Sequence, residues 1–307
     1  MLFGLMKKYF IFILLVLLSC RFQAQFRMDF GVKTGASNYL GDIGGNENSR
    51  RDFVNDLKLA ETRMSLGAFV RYRVFRNISL AFSYNYGRIA GDDKLSSNPG
   101  RRYRNLSFRN DIHELALEGQ YFFYTYNDLG HTYLFENNFR AYAGLGAALF
   151  YHDPKAYYQG TWVDLRPLKT EGELKPYSEV VMAIPLSLGC YFTFKKSYRI
   201  GWELGWRKTF TDYLDDISNR YASPATLGNP LAIVLANRTG ELKTPPGMAD
   251  NYSPGSKRGD PTHDDSYIFT TINFSYVLKG KGAWYRKTLW QKHDFIRRKR
   301  KVLRVRF

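Results

Sequence analysis

From Phe26 onward apolar residues recur at every second position, in segments of about ten residues, which is the period of a strand and not of a helix. Met28, Phe30 and Val32 alternate with Arg27, Asp29, Gly31 and Lys33. In the second segment Met64, Leu66, Ala68, Val70, Tyr72 and Val74 alternate with Arg63, Ser65, Gly67, Phe69, Arg71 and Arg73. A tight turn near Arg76-Asn77 leads to Ile78, Leu80, Phe82, Tyr84 and Tyr86, so segments two and three form an antiparallel hairpin. The fourth sets Leu115, Leu117, Tyr121 and Phe123 against Glu114, Ala116, Glu118 and Gln120. Phe139 to Leu149, Val180 to Phe194, Ile200 to Phe210 and Ile268 to Leu278 complete a set of eight.

The polar face decides what eight such strands build. A soluble sandwich turns its polar face to water, whereas here that face mixes Arg63, Arg71, Glu114, Glu118, Glu203 and Arg207 with Gly and Ser. The apolar face gathers Trp and Tyr near strand ends, as a barrel does with lipid outside and aromatic girdles at the interfaces. Connections after strands two and six are three or four residues, while those after one, three, five and seven run from about 20 to more than 50. The fold class read from this is all-β: an eight-stranded antiparallel transmembrane outer-membrane barrel with long extracellular loops and both termini in the periplasm. Thr125 to Asn138 is the exception, long for a periplasmic turn.

Eight strands enclose only enough room for side chains, so inward charges must neutralise one another. Glu114, Glu118, Glu203 and Asp29 balance Lys33, Arg63, Arg71 and Arg207, a sealed interior charge plug.

Composition adds boundaries. A hydrophobic fraction of 44% excludes a disordered chain, and a mean hydropathy of −0.39 without a long apolar run excludes membrane helices. Residues 1–24, with Lys7-Lys8 and an apolar run from Tyr9 to Leu18, read as a signal peptide; Leu17-Leu18-Ser19-Cys20 also resembles a lipobox. With cleavage after Ala24 only Cys190 survives, and an intrachain disulfide is ruled out. Residues 25–278 are the barrel and 279–307 a basic C-terminal extension. Of the net charge of +17, that extension holds +11 and the first 25 residues +3, which leaves +3 for the barrel. Nucleic acid is excluded as a partner outside the cytoplasm, whatever the charge. Arg297, Arg298, Lys299, Arg300, Lys301, Arg304 and Arg306 are the candidate contact residues, with Leu303, Val305 and Phe307 alternating among the last of them. They lie along anionic headgroups, dock on an acidic periplasmic partner by strand addition, or stay solvated.

No serine sits in a nucleophile elbow, and no His or Cys spacing matches a metal site, so the reading is of a non-enzyme without cofactor or metal. His113 falls at a lipid-side strand end; His152 and His263, in outer loops, are the residues a rim catalyst would use. The clusters Asp92-Asp93, Asp212 with Asp215-Asp216, and Asp264-Asp265 read as solvated loop carboxylates rather than a calcium loop. PLAIVLA at 230–236, apolar inside the longest loop, is either a contact patch or a short helix folded on the loop's own base.

Three ordered motifs carry a resemblance to a family: GVKTGASNYLGD at 31–42, TDYLDDIS at 211–218, and Asp250-Asn251-Tyr252 followed by RGDPTHDDSY at 258–267. Together they resemble the PorG-type outer-membrane barrels associated with the type IX, or Por, secretion system. The resemblance implies a non-enzymatic accessory barrel, embedded in outer-membrane lipid, that links periplasmic ring proteins, a lipoprotein and its partner, to the outer membrane. The basic extension is not a feature of that family. The alternative is a receptor or adhesin-like barrel that binds a ligand through its long outer loops.

Overall fold

The structure is a computed structural model that describes residues 25–43, 59–127, 138–242 and 249–279. One compact unit runs from Asp29 to Tyr276; of the second, which takes in both chain ends, the described residues are the strand ends 25–28 and 277–279. The alternating segments form β1 (Gln25–Leu40), β2 (Arg63–Arg73), β3 (Ile78–Asp92), β4 (Ser107–Asn127), β5 (Asn138–Tyr151), β8 (Val180–Phe194), β9 (Tyr198–Thr209) and β10 (Ser266–Lys279). A short hairpin, β6 (Pro154–Tyr158) and β7 (Thr161–Asp164), stands between β5 and β8. Each long strand pairs with its sequence neighbour, and β1 pairs with β10, so the sheet closes on itself as an eight-stranded antiparallel barrel without a free edge.

The β3–β4 ladder shows what the wall faces. Its outward rungs are Phe82 opposite Leu117, Tyr84 opposite Leu115, Tyr86 opposite His113, then Arg88 opposite Asp111. Phe82 and Leu117 are 53% and 52% exposed, apolar area that only hydrocarbon would cover favourably. His113 accepts the girdle position its parity predicted: Tyr84 Oη lies 2.8 Å from its Nδ1, and the rings of Tyr86 and Tyr151 flank it. The wall is therefore that of a transmembrane barrel.

Connections 74–77 and 195–197 lie at one end of the barrel, and the described residues of the other connections, 41–43, 59–62, 93–106, 152–179, 210–242 and 249–265, at the other, the loop end. The connection from β3 to β4 is shorter than the sequence pattern suggests, because the two strands keep pairing up to Asp92 opposite Ser107, beyond the rung of Arg88 opposite Asp111. Past Thr125 the β4–β5 pairing likewise continues, as far as Asn127 opposite Asn138. A bulge between Phe122 and Tyr124 shifts the register there: Phe122 still takes the inward parity of Glu118 and Gln120, and Phe123 and Tyr124 then both face outward.

The β6–β7 hairpin went unread in the sequence. Its signal is Gln159-Gly160, both at positive φ (45° and 87°), flanked by Tyr157-Tyr158 and Thr161-Trp162. The run at 230–236 is a helix, Pro230–Ala236, capped by the Asn229 side chain. It does not fold on its own loop's base; Leu235 packs with Ala156 and Leu165 of the hairpin region.

Candidate functional site

Of the eight charges assigned to the interior, the barrel brings seven together. Arg207 donates to Glu114 at 3.1 Å and reaches Glu118 at 3.5 Å; Lys33 meets Glu203 at 2.6 Å; Arg71 meets Asp29 at 3.3 Å and Gln120 at 2.7 Å. Hydroxyl and amide donors fill the remaining carboxylate positions: Tyr267 and Asn85 on Glu114, Ser187 on Glu118, Tyr142 on Glu203. Arg63 is not among them. At the first position of β2 it sits on the rim, its side chain 40% exposed and 3.5 Å from Glu61. Arg199, which the sequence reading did not assign to the interior, joins Arg71 on Asp29, at 2.5 Å. The inward face also holds rings that strand parity alone did not mark as important. Arg71 lies over Phe69, Tyr142 and Tyr191, and Arg207 over Phe269, so the buried guanidiniums are stacked as well as paired.

Toward the loop end the interior turns apolar and is closed by a cap. The segment 211–218 dips into the mouth, where Leu214 and Ile217, both 0% exposed, pack with Ile43, Ile89, Ile112 and Phe269. Around this apolar stopper the three sequence motifs lock onto one another. Tyr39 Oη, on the first motif, lies 2.6 Å from Asp215 of the second and 2.9 Å from Asp265 of the third. The backbone N–H of Asp260 donates to Asp42 at 2.7 Å, and Arg258 donates to Glu171 at 3.0 Å and to the Asp216 carbonyl at 2.7 Å. Tyr252 donates to the carbonyl of Gly100 at 2.7 Å, in the helix Pro99–Arg104. The helix begins on an Asn98 cap and ends on Asn105 at positive φ, which delivers Arg104 to a two-pronged bond with Asp93 at 2.7 and 2.9 Å. Gly41 must lack a side chain, since a methyl there would fall on Tyr39 Oη and Asp265 Oδ1.

Asp93, Asp215, Asp216 and Asp265 are thus buried members of the cap and not the solvated carboxylates their loop positions suggested. Burial, helped for Asp215 by the charge of Asp42, pushes both Asp215 and Asp216 up to about 7; for Asp216 it outweighs the opposing pull of Arg258. Tyr39 Oη is the centre of this junction: it accepts from the Asp42 N–H at 2.9 Å and shares its one proton between Asp215 and Asp265, and the Ile43 N–H donates to the same Asp215 oxygen at 3.2 Å. His152 is buried, stacked on Tyr177, which stacks on Tyr213; its Nε2 donates to the Ser178 carbonyl at 3.0 Å, and burial lowers it to about 4. His263 lies at the surface beside Thr262. Among the described residues no group of three or more His, Cys, Asp or Glu is placed to hold a metal. The signal peptide and the candidate tail residues Arg297 to Arg306 lie outside the described residues.

A closed barrel with a charge-filled lumen and a locked mouth defines the class, a transmembrane β-barrel of the outer-membrane type. The chain belongs to the family described as Domain of unknown function (DUF6089), whose model matches residues 7–229. Among solved structures it is similar to the outer membrane protein OprG from Pseudomonas aeruginosa, at 10% identity and a TM-score of 0.38, over 83% of this chain and 98% of that one. It is similar too to the Neisserial surface protein A, at 7% identity and a TM-score of 0.36, over 83% and 98%. Ail of Yersinia pestis, solved in complex with the heparin analogue sucrose octasulfate, matches at 8% identity and a TM-score of 0.34, over 82% and 98%. No curated protein matches the chain in sequence.

Proposed function

We propose that the chain is a non-enzymatic outer-membrane barrel, loop end outward and both termini in the periplasm, that serves as a structural accessory of the type IX secretion machinery. In this role it links ring components, a lipoprotein and its partner, to the outer membrane. The observation that supports the reading is the mutual locking of the three motifs that resemble the PorG-type barrels, through Tyr39, Asp42, Asp215, Asp216, Arg258 and Asp265, over a lumen filled with paired charges. A sealed barrel suits an anchor better than a conduit. Deleting the gene is expected to stop export of folded cargo, and tagged protein isolated from outer membranes is expected to bring ring proteins with it. Removing Arg297 to Phe307 should leave the barrel inserted and weaken that recovery. Normal export, or isolation without ring proteins, refutes the reading.

A second reading, a receptor or adhesin, draws on the folded loop end, where a cleft of about 340 Å³ beside the cap is lined by Arg101, Tyr221, Tyr252 and Lys257. Substitutions there that abolish attachment to a surface while export stays normal would favour it.

A further inference from the structure

A second cleft, of about 550 Å³, opens on the outer wall at the loop end, away from the capped mouth. Arg63, Arg88, Lys94, Arg109 and Arg238 line it, against Glu61 and Asp92. Asp111 neutralises Arg88 at 2.6 Å and Glu241 neutralises Arg238 at 2.9 Å; with those two carboxylates counted, one positive charge remains in surplus. Arg109 Nε is buried without a hydrogen-bond partner, although the guanidinium lies 4.2 Å over the ring of Trp162 and 3.8 Å from Asp111. Trp162 and Tyr157, 5.3 Å apart on the β6–β7 hairpin and 44% and 49% exposed, offer a stacking platform.

The position says what meets this cleft. Along the β3–β4 ladder the girdle rung is Tyr86 opposite His113, the next is Arg88 opposite Asp111, and the one after is Ala90 opposite Arg109. Each rung is two residues, about 7 Å, so the cleft begins one rung beyond the aromatic girdle, at headgroup depth. We propose that it binds the phosphorylated sugar headgroup of an outer-leaflet glycolipid, the phosphate on Arg109 and Arg88 and the sugar ring on Trp162. The source is a membrane lipid rather than a soluble sugar phosphate, because a headgroup held there lays its acyl chains on the rungs below, Tyr84 opposite Leu115 and Phe82 opposite Leu117. The proposal rests on the outward placement of the loop end given above.

The test uses delipidated full-length protein in detergent, with binding read by native mass spectrometry. The probes are lipid A carrying both phosphates, the same lipid dephosphorylated, and soluble glucosamine 1-phosphate. Wild-type protein should prefer the phosphorylated lipid by about tenfold or more, and Arg109→Ala should forfeit that preference, the loss expected of a charge-assisted contact. Trp162→Ala, outside the eight barrel strands, should weaken binding with the barrel intact by heat-modifiable migration. Equal binding of both lipids, no effect of either substitution, or glucosamine 1-phosphate bound as tightly as the lipid overturns the proposal. An epitope inserted at Gly160 separates the two ways of failing. If whole cells do not expose it, the orientation is wrong; if they do and lipid selectivity is absent, the cleft assignment alone is wrong.

Discussion

Burial of two aspartates, Asp215 beside Tyr39 and Asp216 beside Tyr177, makes the cap sensitive to pH. Asp215 and Asp216, at about 7 when buried, return to the ordinary carboxylate range of roughly 4 when the loop opens. Between those values the closed cap holds more protons than the open one. The contribution is therefore full at low pH and is lost as pH rises through about 7. His152 acts in the opposite sense, but only from its ordinary 6.5 down to about 4, so the window from pH 6.5 to 8 isolates the carboxyls. Limited proteolysis of the 210–265 connection, normalised to a model peptide at each pH, should accelerate across that window and stay flat in the Asp215→Asn, Asp216→Asn double variant. A wild-type rate independent of pH would refute the assignment. None of this was legible from the sequence: a loop aspartate reads as solvated until the partners that bury it, up to 226 residues away in the chain, are brought beside it.

At the level of strands the sequence was more legible, because a two-residue period is local and all eight barrel strands carry it. Parity tells which face a side chain takes but not how deep along the barrel it lies. Arg63 and Arg199 have the same inward parity, yet one ends on the rim and the other against Asp29. The difference is measurable. Arg207→Ala leaves Glu114 and Glu118 without their cation inside the barrel and should cost about 3–5 kcal/mol, seen as unfolding of the heat-modifiable form at a lower denaturant concentration. Arg63→Ala removes a long, 3.5 Å rim pair whose arginine is 40% exposed and whose Glu61 is buried, and should shift that midpoint by much less. Equal shifts would mean that depth does not decide the value of these charges. What escaped the period was everything set by non-local packing or by turn chemistry: the Phe122 bulge, the β6–β7 hairpin with its Gln159-Gly160 turn, and the seat of the helix Pro230–Ala236 on it.

For the molecule as a whole, the filled lumen and the stopper of Leu214 and Ile217 lead to one expectation: liposomes carrying the pure protein remain impermeable to small sugars. Rapid swelling in an isotonic sugar solution would show an open path. The cap also has a place in time. The sheet is closed by its first and last strands, β1 and β10, the pair most distant in the chain, and the bond from Tyr39 to Asp265 runs from β1 to the residue just before β10. Gly35, whose missing side chain makes room for the Thr270 carbonyl, brings the two backbones close along the same seam. The cap is therefore expected to assemble only as the cylinder shuts, and once assembled it fastens the join. A protected 210–265 connection accordingly marks a finished barrel, which makes it a clock for the last step of insertion.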